Sequence, residues 1–324
     1  MSMAHIPVLL QEVIEGLQIR NGDFVLDATV GGGGHSEALC RAIGKDTQRP
    51  SSYPRGSRLS RAGLTTFICL DADEDAINRS RQRLEDCVRR QDCQDCNFLF
   101  ERTNYRELDK ALAGFGVRGI NRVLFDLGLS SFQLEESGRG FSFMRDEPLE
   151  MTFEKNPEKS AVTAKTIVNE WSEETIATLL ESYGDERHAR SIARKIVEAR
   201  EHTLISTTFQ LASLVASVVR RRGRIHPATK TFQALRIAVN DEFQGLKDGI
   251  SKAWEALLPM GRIAVISFQS LEDRLVKNFF RELNKTGAGK LINKKPIVPT
   301  EGELASNPRS RSAKLRIIEK IKNI

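Results

Sequence analysis

Three acidic residues that directly follow short apolar runs are the first candidates for chemistry in this sequence. They are Asp27, Asp71 and Asp126. In a sheet of parallel strands, a residue directly after a strand lies at the edge where ligands bind. A carboxylate there accepts hydrogen bonds from the hydroxyl, amine or ammonium groups of a ligand. The three positions therefore predict a site for a polar ligand at one sheet edge.

Four consecutive glycines, Gly31 to Gly34, follow Asp27 and precede a helical pattern. Glycine lets the backbone turn with positive φ and lets a ligand approach closely, and the next helix offers free N–H groups at its start. The pattern Gly31-x-Gly33-x-x-Ser36 resembles a dinucleotide fingerprint, which is a weak signal alone. Asp27 is interpreted either as a partner for a cofactor's ammonium group or as a support for this loop.

Asp71 is the candidate for the ribose of an adenosine-containing cofactor, because one carboxylate can accept bonds from both ribose hydroxyls. It lies further from the glycines than the usual ~20 residues. The polar stretch 45–63, interpreted as a surface loop, accounts for the excess. The alternative is that Asp71 only caps the next helix.

Asp126 opens a loop of small residues that runs to Gln133 and could admit a planar base. An exocyclic amine on such a base is a poor nucleophile because its lone pair is drawn into the ring. An acceptor such as Asp126, or the backbone carbonyls at 127–130, would bind the N–H groups and turn the lone pair toward an electrophile. Asp126 and Ser130 are the catalytic candidates, with water sufficient to take the proton. The alternative for Asp126 is a structural anchor for the loop.

Strands that alternate with helices must position these residues. Short apolar runs predict strands at 24–26, 65–70, 98–100, 122–125 and 262–267, while 134–231 contains helical patterns and no convincing strand. Alternating strands and helices indicate an α/β fold with a parallel sheet. The sequence therefore predicts a discontinuous sheet domain, residues 1–133 and 232–324, with an inserted helical domain, residues 134–231.

Composition and charge narrow the classes of function. The chain of 324 residues is 40% hydrophobic and 28% charged, and its net charge is +6. Two basic stretches, 220–230 and 309–322, suit the phosphates of a nucleic acid, although each could be a solvated surface. No apolar run approaches the ~20 residues of a membrane span, and no secretory signal is visible. The odd count of five cysteines predicts free thiols, no metal site and a cytoplasmic location.

Longer segments resemble a known family. The sequence closely resembles the small-subunit (16S) ribosomal RNA cytidine N4-methyltransferases, often called the RsmH or MraW family, and the matches run in order through nearly the whole chain. The matching segments are His5–Leu10, Gly33–Ser36, Leu70–Asp73, Asp126–Ser131, Gln133-Leu134, Arg139–Asp146, Tyr183–Glu186, His226–Ile237, Ser270–Arg274 and Asn307–Ser312.

This resemblance implies a class I S-adenosylmethionine-dependent methyltransferase, a Rossmann-like sheet in which the helical insert recognises the substrate. It implies methylation of the N4 amine of a cytidine near the decoding P site, on RNA within an assembled small ribosomal subunit. A homodimer is kept open as the oligomeric state. Carried over by position, the cofactor contacts fall at Gly33, Gly34, His35, Asp71, Tyr105, Asp126 and Gln133.

Substrate contacts are predicted where aromatic and basic side chains occur together. Arginines interleaved with aromatics can stack a splayed base and hold its phosphate. The alternative for residues 139–145 is a hydrophobic anchor of the insert, and for the histidine it is loop structure. The predicted substrate residues are Arg139, Phe141, His226, Lys230, Arg309 and Arg311.

The sequence departs from the family pattern at three places. Gln269 stands where the family usually has histidine, so a proton-transfer role for that position is in doubt. Tyr105 stands where the family usually has phenylalanine, which keeps a ring for adenine packing. The stretch 45–63 has no counterpart in the family pattern.

Three other classes of function would explain part of the sequence. A nicotinamide-dependent dehydrogenase would explain the glycines and Asp71, but not the loop at 126–133 or the basic stretches. A non-catalytic RNA-binding or ribosome-assembly protein would explain the charge alone. A methyltransferase that acts on another amine, such as a protein side chain, is the intermediate case.

Overall fold

The computed structural model describes residues 6–43, 64–154, 161–219 and 226–321. The predicted loop at 45–63, residues 220–225 of the first basic stretch and Lys322 therefore lie outside the described residues. The chain divides into two compact units. We call residues 1–128 with 245–324 the sheet unit, and residues 129–244 the helical unit.

The sheet unit contains seven strands in the order β3-β2-β1-β4-β5-β7-β6. Strands β1 to β5 run parallel, whereas β7 is antiparallel to both β5 and β6. This order confirms the predicted Rossmann-like methyltransferase fold, and all five predicted strands are present. The strands are β1 Phe24–Asp27, β2 Thr65–Asp71, β3 Cys96–Arg102, β4 Ile120–Asp126, β5 Leu257–Ser267, β6 Gly289–Leu291 and β7 Lys314–Lys320.

The central strands are apolar because helices cover both faces of the sheet. Neighbouring residues Val25 and Leu26 of β1 enter different hydrophobic clusters, one on each face. The helices of this unit are α1 Leu10–Leu17, α2 Gly34–Ile43, α3 Glu74–Arg89, α4 Leu108–Gly114, α11 Glu242–Ala256, which begins in the helical unit, α12 Ser270–Lys285 and α13 Glu301–Ser306, with 3-10 turns at Tyr105–Glu107 and Pro308–Ser312.

The helical unit forms its own hydrophobic core. Ile192 and Ile196 of one helix and Leu211 and Val215 of another are buried in it, as their helical spacing predicts. Within the described residues, no helix of either unit is long and apolar enough to cross a membrane. The helices are α5 Ser131–Glu135, α6 Ala164–Glu170, α7 Glu173–Gly184, α8 Ala189–Arg200, α9 Thr208–Val218 and α10 Thr229–Asn240.

The junctions of the two units differ from the sequence-based boundaries at 133/134 and 231/232. Helix α10 belongs to the helical unit, because Phe232 and Leu235 are buried in its hydrophobic cluster. Leu129 and Leu134 also pack against that cluster. The compact units therefore meet after Gly128 and before Gly245. The role of the insert in substrate recognition stays a prediction.

The second basic stretch is mostly a strand rather than a tail. Lys314–Lys320 is β7, paired with both β5 and β6. Arg316 is buried, and its guanidinium donates to both carboxylate oxygens of Asp273 at 2.6 and 3.2 Å. Lys320 donates to the backbone carbonyls of Trp254 and Leu257. The fold therefore uses Arg316 and Lys320 internally, and phosphate contact by the other cations of this stretch stays a prediction.

Four of the five cysteines are paired, so the prediction of free thiols is wrong for them. Cys40 of α2 is bonded to Cys96 of β3, and Cys87 of α3 to Cys93. The Cα atoms of the pairs lie 6.4 and 5.6 Å apart, within disulfide range. Cys69 is free and buried. Among the described residues, no group of His, Cys, Asp or Glu side chains is arranged to hold a metal ion.

Candidate functional site

The carboxyl ends of β2, β1 and β4 bring the three predicted carboxylates to one edge of the sheet unit. Asp27 pairs in register with Cys69 of β2 and Leu124 of β4. Asp71 and Asp126 therefore lie two residues beyond the end of β1 on either side of it. The strand order reverses between β1 and β4, which is where open α/β sheets bind ligands. The three carboxylates therefore lie at one sheet edge, as the strand ends predicted, and a ligand site there stays a prediction.

The glycine loop connects β1 to α2 at this edge. Gly33 has φ +74°, a conformation that L side chains rarely adopt, and its Cβ would approach the Cα of Ser80 at 3.3 Å. A Cβ on Gly34 would lie 2.7 Å from Pro7 Cγ, whereas a Cβ on Gly32 would meet no atom of the described chain within 4 Å. The loop thus packs on α3 and on the N-terminal segment but keeps open space at its middle.

Asp71 joins the second strand to the glycine loop. Its Oδ2 accepts the Gly31 N–H at 3.0 Å, and its Oδ1 accepts the Asp73 N–H at 2.9 Å. The N-cap of α3 is Asp73, so Asp71 is not the helix cap that the alternative required. Burial raises the pKa of Asp71 to about 6, against the lowering effect of those two hydrogen bonds. Each oxygen retains a lone pair that a ribose hydroxyl can use.

Asp27, at the end of β1, stabilises the glycine loop. It is buried, and its Oδ2 accepts the Ser36 hydroxyl at 2.5 Å. Its Oδ1 accepts the Thr29 N–H at 3.3 Å. Burial raises the pKa of Asp27, and the Ser36 hydrogen bond and the charge of His35 oppose that rise. Only 1% of Asp27 is exposed, and both oxygens accept hydrogen bonds from the protein, which favours loop support over contact with a cofactor's ammonium group.

Asp126 has one oxygen with a partner and one without. Its Oδ2 lies 3.4 Å from His35 Nδ1, and its backbone N–H donates to Thr29 Oγ1 at 2.7 Å. Its Oδ1 is buried and has no hydrogen-bond partner among the described residues. An unsatisfied buried acceptor is costly, and a catalytic role, a bound ion or an ordered water is a common reason for one. Asp126 can therefore accept an N–H from a bound molecule.

Tyr105 follows β3 and lies against the same half of the sheet unit. Its ring contacts Phe125 edge-on, with centroids 5.7 Å apart. A Cβ on Gly249 would come within 2.7 Å of Tyr105 Cδ2, so α11 packs closely on this ring. The side chain remains partly exposed. Its role in packing adenine stays a prediction.

Ser130 and Gln133 lie in the helical unit, where they close the start of α5. The Ser130 hydroxyl accepts the Gln133 N–H at 3.2 Å, and Gln133 Oε1 accepts the Ser130 N–H at 3.0 Å. This reciprocal pair is a capping box. The capping role accounts for both side chains structurally, and their catalytic and cofactor roles stay predictions.

Arg139 and Phe141 are buried in the helical unit, which favours the alternative of a hydrophobic anchor. The Arg139 guanidinium donates to the backbone carbonyls of Thr152 and Phe153 and lies over the Phe141 ring, 5.5 Å from its centroid. Phe141 stacks on Phe153. Only 5% of Arg139 and 6% of Phe141 is exposed, too little to hold a base and its phosphate. In this structure these two predicted substrate contacts are therefore internal.

The other four predicted substrate residues are at the surface of their own units. In the helical unit, the His226 ring stacks on Phe143 with centroids 4.4 Å apart, and Lys230 donates to the Asp185 carbonyl. In the sheet unit, Arg309 and Arg311 are exposed on the last 3-10 turn. These positions remain compatible with RNA contact.

Gln269, the departure from the family pattern, lies just before α12. Its N–H donates to Glu272 Oε2 at 3.2 Å, and the Phe268 N–H donates to the same oxygen at 3.1 Å. The next residue, Asp273, holds Arg316 of β7. Glu272 and Asp273 thus stabilise the start of α12 and its contact with the antiparallel strand.

Sequence reasoning missed the contacts that organise the carboxylate edge. Thr29 fixes the backbone of Asp126, and the Val8 carbonyl accepts from His35 Nε2 at 3.0 Å. The available signal for Thr29 was its place between Asp27 and the glycines, at the end of a predicted strand. Nothing in the spacing pairs His35 with Asp126, because they are 91 positions apart in the sequence.

Comparison with known proteins gives a consistent result. A model of the MraW methylase family matches residues 2–50 and 57–321, so only 51–56 of the stretch 45–63 falls between the matched segments. Ribosomal RNA small subunit methyltransferase H of Paenibacillus sp. is 42% identical over 341 residues, covering 98% of this chain and 99% of the relative. The protein of the same name from Synechococcus elongatus is 44% identical over 323 residues, covering 99% and 96%.

A solved structure of an rRNA methylase from Streptococcus thermophilus also matches. It covers 97% of this chain and 94% of that chain, with 12% identity and a TM-score of 0.41.

Proposed function

The chain belongs to the MraW methylase family, and on that premise we propose that it transfers a methyl group from S-adenosylmethionine to the exocyclic N4 amine of a cytidine in small-subunit ribosomal RNA. The names of the relatives give the RNA of the small subunit as the class of target. The observation that carries the proposal is Asp126 Oδ1, a buried acceptor without a partner among the described residues, beside the glycine loop.

The residues at the carboxyl edge of the sheet fit S-adenosylmethionine. The open space at Gly32 leaves room for a ligand to approach the loop backbone. Asp71, at the end of β2, would accept the ribose hydroxyls, and Tyr105 after β3 would pack against the adenine. Gly33, Gly34 and His35 would contribute backbone groups at the start of α2. When bound, this cofactor supplies an electrophilic methyl group on a cationic sulfonium.

Asp126 would orient and stabilise the amine. Its Oδ1 accepts one N–H of the amine, which turns the nitrogen lone pair away from the cytosine ring. The negative charge of the carboxylate would also stabilise the positive charge that develops on nitrogen as it takes the methyl group from the cofactor. The surplus proton on nitrogen leaves to solvent water. Alignment and charge placement, rather than covalent catalysis, would supply most of the rate.

The wider substrate is proposed from the family. We place the cytidine near the decoding P site of an assembled small subunit in the cytoplasm, with the helical unit taking part in recognition. Surface positions His226, Lys230, Arg309 and Arg311 are the candidates for RNA contact, since arginine and lysine hold phosphates and a histidine ring can stack on a base. A homodimer stays a prediction.

Mass spectrometry of small-subunit RNA tests the proposal. We expect RNA from cells that lack this gene to lose one N4-methylated cytidine, and a plasmid copy of the gene to restore it. An Asp126→Ala copy, expressed at the same level, should not restore it. Unchanged N4-methylcytidine in the deletion strain, with no second enzyme supplying it, would reject the assignment.

A further inference from the structure

The His35 ring lies between two hydrogen-bond acceptors. It is 6% exposed, with Nε2 at 3.0 Å from the Val8 carbonyl oxygen and Nδ1 at 3.4 Å from Asp126 Oδ2. A carbonyl only accepts, and so does an ionised carboxylate. Acceptors on both sides of the ring therefore favour a proton on each nitrogen, because an imidazole is ordinarily a stronger base than a carboxylate.

The surroundings of the ring support its protonated form. Burial lowers the pKa of His35, but the hydrogen bond and charge of Asp126, the Val8 carbonyl and the charge of Asp27 together raise it above its usual value. Asp126 faces the ring from β4 and Asp27 from β1, while Val8 belongs to the N-terminal segment. The two carboxylates thus stabilise a cation between them.

The contact with His35 also determines which oxygen of Asp126 remains for a ligand. Oδ2 is held by the ring, and the Asp126 backbone is held by Thr29. Oδ1 is then the oxygen left without a partner among the described residues. Rotation of the carboxylate would cost the contact with the imidazolium. The orientation of the acceptor is therefore fixed before any substrate binds.

We propose that His35 is a positioning residue, whose imidazolium binds Asp126 Oδ2 and presents Oδ1 to the exocyclic amine of the substrate. This inference rests on the proposed function for the identity of the amine. It also excludes His35 as the base of the reaction near neutral pH, because a ring that already carries both protons has no lone pair to offer. The proton that leaves the amine must then pass to water.

The same ring fastens the N-terminal segment, so a test must separate the two contacts. Near Val8, the Leu9 N–H donates to Glu303 and Asn307 donates to the Ile6 carbonyl. Replacement of His35 by alanine would remove the Asp126 contact and the Val8 contact together. Two replacements separate the two contacts. The side-chain amide of asparagine can take the place of Nδ1 and keep the contact with Asp126. The side-chain amide of glutamine can take the place of Nε2 and keep the contact with Val8.

Kinetics of this pair of variants, with small subunits lacking the modification as substrate, form the first arm. His35→Gln keeps the Val8 contact and should lower kcat by about 100-fold, the cost of a misplaced catalytic group, with S-adenosylhomocysteine affinity within about twofold of wild type. His35→Asn keeps the Asp126 contact and should retain much more of kcat but have a lower Tm. Equal kcat for His35→Gln and wild type would overturn the proposal while leaving the methyltransferase assignment intact.

Nitrogen NMR of the histidine rings forms the second arm and needs no activity. We expect both ring nitrogens of His35 to be protonated near neutral pH in the wild-type protein, and Asp126→Asn to lower the pKa of this ring. His188 in the helical unit serves as the control histidine in the same sample. A neutral His35 ring in the wild-type protein would overturn the proposal. If wild-type protein fails to methylate, the proposed function fails, and this arm still decides the protonation of His35.

Discussion

Asp71 is the residue to which we assign the ribose hydroxyls of the proposed cofactor. Its two oxygens already accept N–H groups from Gly31 and Asp73, which orients the carboxylate before a ligand arrives. The fold thus places a buried carboxylate at the end of β2. Burial raises the pKa of Asp71 to about 6, close enough to neutral pH for its charge to respond to mild acid.

Replacement of Asp71 by asparagine should weaken the binding of S-adenosylhomocysteine. The variant keeps the shape of the side chain but loses a charged acceptor, which costs about 1–3 kcal/mol, or about 5- to 150-fold in Kd. Isothermal titration calorimetry measures this directly. Glu74→Gln, an exposed change in the first turn of α3, is the matched control and should bind normally. Equal affinity of Asp71→Asn and wild type would remove Asp71 from the pocket.

The affinity of the wild-type protein should also depend on pH. As the pH falls through about 6, Asp71 takes up a proton and loses acceptor capacity, so affinity should decrease by up to about tenfold per pH unit. The Asp71→Asn variant should lack this step. The unliganded fold responds in the opposite sense: the folded pKa lies above the usual 3.8, so this group adds stability as the pH falls from about 6. A wild-type affinity that is flat between pH 7 and 5 would contradict the account.

At the scale of elements, the sequence predicted what depends on local patterns. The strands β1, β2 and β4 are apolar runs that end in an acid, and each has its carboxylate at the predicted sheet edge. Strand β7 was missed because Lys314, Arg316 and Lys320 suggest a basic tail. Only the fold shows that Asp273 neutralises Arg316 in a buried position.

The candidate site, likewise, could be predicted from the sequence only where it depends on local patterns. The carboxylates could be placed from strand ends, whereas the His35–Asp126 contact depends on how α2 packs beside β4. The burial of Arg139 and Phe141 depends in the same way on the packing of the helical unit. The bond between Cys40 and Cys96 likewise joins elements that are distant in sequence.

The disulfide between α2 and β3 should contribute to the stability of the sheet unit. Cys40 and Cys96 are 56 positions apart, and a loop of that size predicts about 4 kcal/mol from the reduced entropy of the unfolded chain. The double variant Cys40→Ser and Cys96→Ser should unfold at lower denaturant concentration than wild type, both without reductant. With reductant present the difference should shrink. Equal midpoints without reductant would show that this bond is absent in solution.

At the scale of the whole molecule, the net charge of +6 is not spread as one basic tail. The described part of the second basic stretch leaves Arg309 and Arg311 exposed on a turn that Asn307 ties to the N-terminal segment. The sheet unit therefore carries two exposed cations, Arg309 and Arg311, on this turn. The same turn contacts the N-terminal residues that lie near the glycine loop. The proposed phosphate contacts and the proposed cofactor residues therefore belong to the same unit.

Neutralising these two arginines should reduce the salt dependence of RNA binding. If each contacts one phosphate, the double variant Arg309→Gln and Arg311→Gln should lower the slope of log K against log salt by about 1.5. The control removes the same charge elsewhere, at the exposed Arg89 and Lys110, and should leave the slope unchanged. Filter binding of small-subunit RNA across a salt series measures both. An equal decrease in the two double variants would indicate general electrostatic attraction instead.

A crystal structure with S-adenosylhomocysteine tests the central claim most directly, because it locates the cofactor without depending on turnover. We expect the ligand to bind at the carboxyl ends of β2, β1 and β4, with its ribose hydroxyls bonded to the Asp71 carboxylate and its sulfur toward Asp126. A ligand bound elsewhere on the protein, or one that makes no contact with Asp71, would contradict it.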